Sequence, residues 1–151
     1  SKAVDTILFL EYIWGLDVIP PGPLISVREQ NVFLDYVLSQ TEPENIVVGF
    51  PTFGYNWELP YISGYSNSEF LTQIQFDEIS QNSYFYFEET NGNAGHYVAW
   101  FVTPKTADSL VKVALEKGID KIGIWNIMFF YAPLWLVVNS QYEIIKYLPE
   151  I

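Results

Sequence analysis

The spacing of apolar residues changes several times along the chain, and each change marks an element. Ile7-Leu8-Phe9-Leu10 is an unbroken apolar run behind Asp5 and Thr6, which predicts a parallel strand buried on both faces. After the stiff loop Pro20-Pro21-Gly22-Pro23, Val32 with Tyr36 and Phe33 with Val37 recur at helical spacing. With Arg28 and Glu29 free to face water, this predicts a helix over 26–38. The run from Glu44 through Ile46-Val47-Val48-Gly49-Phe50 to Pro51 predicts a second buried strand.

The middle of the chain switches to a period of two. Ile74-Gln75-Phe76-Asp77 alternates, and Tyr84-Phe85-Tyr86-Phe87 does so when one aromatic face packs on a neighbour. Asn91-Gly92-Asn93-Ala94-Gly95 supplies turn residues, and 96–102 reads as the returning strand. These features predict a small antiparallel unit, with one face available to wall a cleft. Helical spacing then returns. Thr103 suits an N-cap, Pro104 the first turn and Gly118 the exit, while Ala107, Leu110, Val111, Ala114 and Leu115 form one stripe and Asp108 can pair with Lys112. A third parallel strand over 121–127 and a last helix over 133–147 complete the expected order.

The fold class is therefore α/β, built from βαβ units around a small antiparallel insertion. Three parallel strands cannot close a barrel, and their edges and faces need cover. Composition points the same way. In 151 residues, 50% are hydrophobic and only 17% charged, below the usual quarter, so some apolar surface is expected to be covered by more of the same domain or by self-association. No internal repeat or low-complexity linker divides the chain.

Charge narrows the partners. Eighteen acidic against seven basic residues give a net charge of -11, which repels phosphate backbones and anionic lipid, so nucleic acid is excluded as a partner. Neutral sugars remain compatible, because they bind by stacking and hydrogen bonds. The absence of cysteine removes thiol chemistry. No apolar run reaches the ~18–20 residues of a membrane helix, and the N-terminal stretch reads as a strand rather than a signal peptide. His96 is the one histidine, without the spacing of a zinc site. The glycine-containing segments lack nucleotide-binding contexts, and Ser39, Ser63, Ser66 and Ser80 lie in no nucleophile elbow. Glu58, Asp17, Asp77, Glu78, Glu88 and Glu89 read as solvated charge.

Aromatic and polar residues gather where the three parallel strands end: Glu11, Tyr12 and Trp14; Phe53, Tyr55, Asn56 and Trp57; Trp125 and Asn126. In a (β/α)8 barrel, that rim carries function. An indole such as Trp125 offers a flat apolar surface to the C–H face of a sugar, and Tyr12 can donate a hydroxyl hydrogen bond. Trp14 and Trp57 suit flanking platforms. Glycoside cleavage needs a protonated carboxyl group beside the leaving oxygen. Glu11 is the nearest acid, but strand alternation directs it away from the Tyr12 side.

These residues resemble those of glycoside hydrolase family 18, in particular its spore-wall glycosidases acting on cortex peptidoglycan during germination. Leu10-Glu11-Tyr12-Ile13-Trp14-Gly15 is similar to that branch's Met-Thr-Tyr-Glu-Trp-Gly segment. Gly49-Phe50-Pro51-Thr52-Phe53-Gly54-Tyr55-Asn56-Trp57, followed by Leu59-Pro60-Tyr61, is similar to Gly-Ile-Pro-Leu-Tyr-Gly-Tyr-Asp-Trp-x-Leu-Pro-Tyr. Segments 74–102 resemble the family's inserted small domain, and Ile122-Gly123-Ile124-Trp125 its last strand. The resemblance covers nearly the whole chain.

The resemblance implies that residues 1–151 are the C-terminal portion of a partial (β/α)8 TIM barrel, about strands six to eight, with an inserted subdomain over 62–102. It implies a retaining mechanism in which the substrate's N-acetyl group attacks the anomeric carbon. Tyr12 would contact the N-acetyl oxygen and Trp125 would floor the reacting subsite, with Trp14, Tyr55, Trp57 and Asn126 as further substrate contacts. The acid belongs to strand four, outside this chain, so no catalytic residue is assigned here and the fragment alone is expected to be inactive. No metal or organic cofactor is required. The implied partners are an N-acetylated polysaccharide or oligosaccharide and the remaining barrel, and the implied location is the spore or cell envelope. Ile13 stands where the family commonly has an acid, and isoleucine neither hydrogen-bonds nor holds charge. A non-catalytic carbohydrate-binding or surface structural protein is therefore the alternative, and a small self-associating α/β scaffold the third reading.

Overall fold

A computed structural model describes residues 4–12, 21–59, 73–90, 95–126, 128 and 132–142. Two sheets organise them. The first is parallel, with β1 (Ile7–Leu10), β2 (Ile46–Pro51) and β7 (Ile122–Trp125) in the order β1-β2-β7. The second is antiparallel, with β3 (Tyr55–Glu58), β4 (Gln75–Asp77), β5 (Asn82–Glu89) and β6 (Gly95–Phe101) in the order β3-β6-β5-β4. Three helices accompany them, α1 (Val27–Leu38), α2 (Pro104–Glu116) and α3 (Ala132–Gln141).

Register explains which side of the parallel sheet is packed. Phe9 lies opposite Val48, and Phe50 opposite Ile124, so residues of this parity share one face. Ile46, Val48 and Phe50 are essentially inaccessible there and join Leu34 of α1, Leu110, Val111 and Ala114 of α2, and Leu134 and Val138 of α3 in one core. Each of these side chains other than Ala114 contributes about 1.5–3 kcal/mol on burial. Phe9 meets Phe33 of α1 edge to face at 5.3 Å. The cap chemistry expected for α2 is present: Thr103 and Thr106 form a reciprocal capping box. Asp108 pairs with Lys112 at 2.5 Å and accepts a second hydrogen bond from Gln141 of α3.

The other face of the sheet is open, where the sequence predicted burial on both. Leu8 is 53% and Leu10 45% exposed. These leucines of β1 lie across glycines of the adjacent strand β2 and of β7 beyond it. A Cβ on Gly49 would come within 2.7 Å of Leu10 Cδ2, and one on Gly123 within 3.2 Å of Leu8 Cδ1. Among the described residues no helix or strand covers this surface. An apolar run records that both faces avoid water, but the element that would cover the second face is not contained in the run.

The antiparallel sheet includes Tyr55–Glu58, upstream of the unit expected from 62, because β3 pairs with β6 some forty residues later. Such a pairing leaves no local periodicity in four residues. Pro43–Asn45 forms a short 3-10 turn ahead of β2. The expected last helix starts at Ala132, and its predicted continuation over 143–147 lies outside the described residues.

Buried polar residues fasten the second sheet to the helices. At the turn 78–81, the Ser80 carbonyl accepts from Val27 N–H at the start of α1, and the Gln81 carbonyl accepts from the Thr106 hydroxyl in α2. Buried Asn82 donates to the carbonyls of Ile25 at 2.6 Å and Ser80 at 3.0 Å. Replacing Asn82→Ala takes the buried side-chain donor from the Ile25 carbonyl and one of two donors from the Ser80 carbonyl, which keeps Val27 N–H. It is expected to lower unfolding free energy by about 1–3 kcal/mol, read as a reduced urea midpoint with an unchanged slope.

Candidate functional site

The carboxyl ends of β2 and β7 lie side by side, with Pro51 opposite Trp125. Beyond Pro51 the chain turns through Thr52, Phe53 and Gly54 before entering β3 at Tyr55. This turn passes so close to the end of β6 that a Cβ on Gly54 would stand 2.5 Å from the Trp100 carbonyl oxygen. Only glycine fits there. The result is a recess of about 600 Å³ lined by Thr52, Phe53, Gly54, Tyr55, Trp125 and Asn126.

Two aromatic side chains present surface to this recess. Trp125 is 50% and Tyr55 44% exposed. Tyr55 is buttressed by Phe53 at 5.8 Å and by Trp57 at 5.8 Å. The Trp125–Asn126 peptide is cis. Thr52 N–H donates to the Trp125 carbonyl at 2.9 Å, and the Thr52 hydroxyl donates to the Asn126 carbonyl at 2.9 Å and accepts from Asn126 N–H at 3.1 Å. The Asn126 side-chain oxygen accepts from Met128 N–H.

Of the substrate contacts expected from sequence, Tyr55, Trp125 and Asn126 come together around this recess. Tyr12 stands one ring behind it, buried, with its edge on Phe53 at 5.6 Å and 85°. Burial raises the Tyr12 hydroxyl above its usual range. Trp57 supports Tyr55 without lining the recess. Trp14 lies outside the described residues. Thr52 carried no sequence signal, because its partners are 74 positions away and it belongs to no acid, base or platform pattern.

The lining offers apolar rings and amide or hydroxyl groups, a combination suited to a neutral, polyhydroxylated ligand. Among the described residues the lining contains no carboxyl group. Glu11 is buried next to Tyr12 in the chain, and burial pushes its pKa up to about 8. It therefore holds a proton at neutral pH, but it is not among the residues lining the recess. Among the described residues, no group of three or more His, Cys, Asp or Glu side chains is arranged to hold a metal ion, and no helix is long and apolar enough to cross a membrane. His96 pairs with Glu88 at 3.2 Å on the β5–β6 hairpin, away from the recess.

The arrangement of a parallel sheet with an antiparallel companion has counterparts among solved chitinases and cortex-lytic enzymes. The chain superposes on a chitinase from Chromobacterium violaceum with a TM-score of 0.74 at 18% identity, covering 91% of this chain and 45% of that one. It superposes on the spore cortex-lytic enzyme SleL of Bacillus cereus with a TM-score of 0.80 at 24% identity, covering 95% and 36%. In sequence it is 23% identical over 159 residues to the cortical fragment-lytic enzyme of Bacillus subtilis (strain 168), covering 97% of this chain and 36% of that enzyme. No family model matches the chain. The relatives are thus the cortex-lytic enzymes and chitinases that the motifs resembled, and the chain spans about a third of the length of the cortex-lytic ones.

Burial of Glu11 has a pH signature. Its carboxyl stays protonated in the folded chain up to about pH 8, whereas the unfolded chain loses that proton near 4.5. Folded-state stability from this group is complete below pH 4.5 and is lost as pH rises to about 8. Relative to the parent, Glu11→Gln should gain a few kcal/mol between pH 5 and pH 8, measured as the difference in urea midpoints at the two pH values.

Proposed function

We propose that this chain is the C-terminal portion of a family 18-type (β/α)8 barrel. It supplies about strands six to eight and one side of a cleft for N-acetylglucosamine-containing polysaccharide, either cortex peptidoglycan or a chitin-like polymer. The observation that carries this reading is an exposed Trp125–Tyr55 recess at the end of a parallel sheet whose inward face, bearing Leu8 and Leu10, is open. An open apolar sheet face, with edges unpaired among the described residues, fits strands that belong to a larger closed sheet.

In this reading the indole of Trp125 stacks on the C–H face of a pyranose, Tyr55 forms the facing wall, and Asn126 hydrogen-bonds the sugar's polar groups. Tyr12, Trp14 and Trp57 are proposed as further contacts, Tyr12 toward the N-acetyl oxygen. The proton donor comes from outside the chain. The substrate's own acetamido oxygen attacks the anomeric carbon as that acid protonates the leaving oxygen, and water then opens the cyclic intermediate with retention. The proposed location is the spore or cell envelope, where such polymers occur. A recess whose described lining has no carboxyl group also suits a second reading, a non-catalytic carbohydrate-binding or surface structural protein, and Ile13 in place of an acid favours it.

Titration calorimetry with N-acetylglucosamine oligomers separates these readings from a scaffold with no ligand. Trp125→Ala is expected to weaken binding roughly tenfold, or about 1.4 kcal/mol. The isolated chain should release no reducing sugar from cortex fragments or oligomers, whereas supplying the remaining barrel restores turnover in the enzyme reading and leaves binding alone in the second. Turnover by the isolated chain at the rate of the complete barrel overturns the assignment of the acid to another segment.

A further inference from the structure

We infer that Thr52 is a positioning residue whose side-chain hydroxyl sets the orientation of the Trp125 indole in the recess; its value for saccharide binding rests on the function proposed above. The hydroxyl occupies a place that few side chains can fill. It uses its single proton toward the Asn126 carbonyl at 2.9 Å and a lone pair toward the Asn126 N–H at 3.1 Å. A carbonyl oxygen cannot make the first bond and an ammonium cannot make the second, so the task requires a hydroxyl or a correctly turned amide. A longer approach of 3.4 Å to the Trp125 carbonyl lies at the outer limit for an O–H···O bond and adds little.

The backbone supplies the other half of the fastening. Thr52 N–H donates to the Trp125 carbonyl at 2.9 Å, extending the β2–β7 ladder by one step past Pro51. Thr52 therefore grips both residues flanking the peptide from which the indole projects. Trp125 is half exposed, so packing alone does not hold its ring from all sides. Its aim depends on the backbone that carries it, and that backbone beyond the strand is fixed through Thr52. A shift of this peptide would turn the indole relative to Tyr55 on the far side of the recess.

Three variants decide the matter: Thr52→Val, which keeps the shape and removes both hydroxyl bonds, Thr52→Ser, which keeps them, and Trp125→Phe, which identifies the Trp125 indole resonance. In Thr52→Val, amide exchange at Asn126 is expected to accelerate by about tenfold and the Trp125 indole N–H resonance to move. Thr52→Ser should preserve both. These readouts require no ligand, so they stand even when no saccharide binds.

In titrations with N-acetylglucosamine oligomers, Thr52→Val should weaken affinity by roughly five- to tenfold and Thr52→Ser by less than about twofold. The double variant Thr52→Val/Trp125→Ala should bind no more weakly than Trp125→Ala, because the two act through one contact. An unmoved indole resonance in Thr52→Val, with Asn126 exchange unchanged, overturns the positioning role. Additive losses in the double variant overturn it as well. Absence of saccharide binding in the parent chain, with the exchange and resonance effects intact, instead overturns the proposed ligand and leaves the positioning role standing.

Discussion

The structure depends on one-sided burial of the parallel sheet. Ile46, Val48 and Phe50 on the central strand are sealed by α1, α2 and α3, and this contact fixes where the strand ends lie. A side chain's parity in a strand determines its face, so sealing one set directs Leu8, Leu10, Gly49, Gly123 and Trp125 to the other. The same event that forms the core thus delivers Trp125 to the open face at the carboxyl edge. Candidate-site and core-facing residues are not separate populations along β7, since they alternate.

The antiparallel sheet is subordinate to that arrangement. It is bolted to the starts of α1 and α2 through Ser80, Gln81 and Asn82, and it touches the rim where Gly54 passes the end of β6. These two attachments set the distance between Tyr55 and Trp125. A buried network of this kind favours one placement, because every alternative leaves carbonyls without donors. The recess is therefore a consequence of two sheets meeting, with Trp125 carried by one and Tyr55 by the other.

Local features were legible in the sequence, because local physics writes them there. The helix over 26–38 and the Thr103–Pro104 start follow from spacing and caps that act within a few residues, and the structure places both within a residue or two. Tyr55, Trp125 and Asn126 were recognisable as rim residues once strand ends were assigned. Non-local facts were not legible. Thr52 has its partners 74 positions later, and β3 finds β6 across an intervening hairpin. The openness of the Leu8–Leu10 face was hidden for another reason: an apolar run encodes the need for cover but not the location of whatever provides it.

Under the proposed function, Glu11 and the recess show how proton retention and ligand contact are separated in this chain. A general acid must meet two conditions, a proton retained near neutral pH and an approach to the leaving oxygen. Burial supplies the first for Glu11, raising its pKa to about 8. The second requires a position on the cleft surface, and among the described residues the lining between Thr52 and Asn126 contains no carboxyl group. Burial deep enough to hold the proton here is also deep enough to withhold it. An acid that meets both conditions needs partial shielding by neighbours on several strands at once. The three parallel strands among the described residues, with one face open, do not surround any point in that way, so under the proposed function the acid is left to strands that would complete the enclosure.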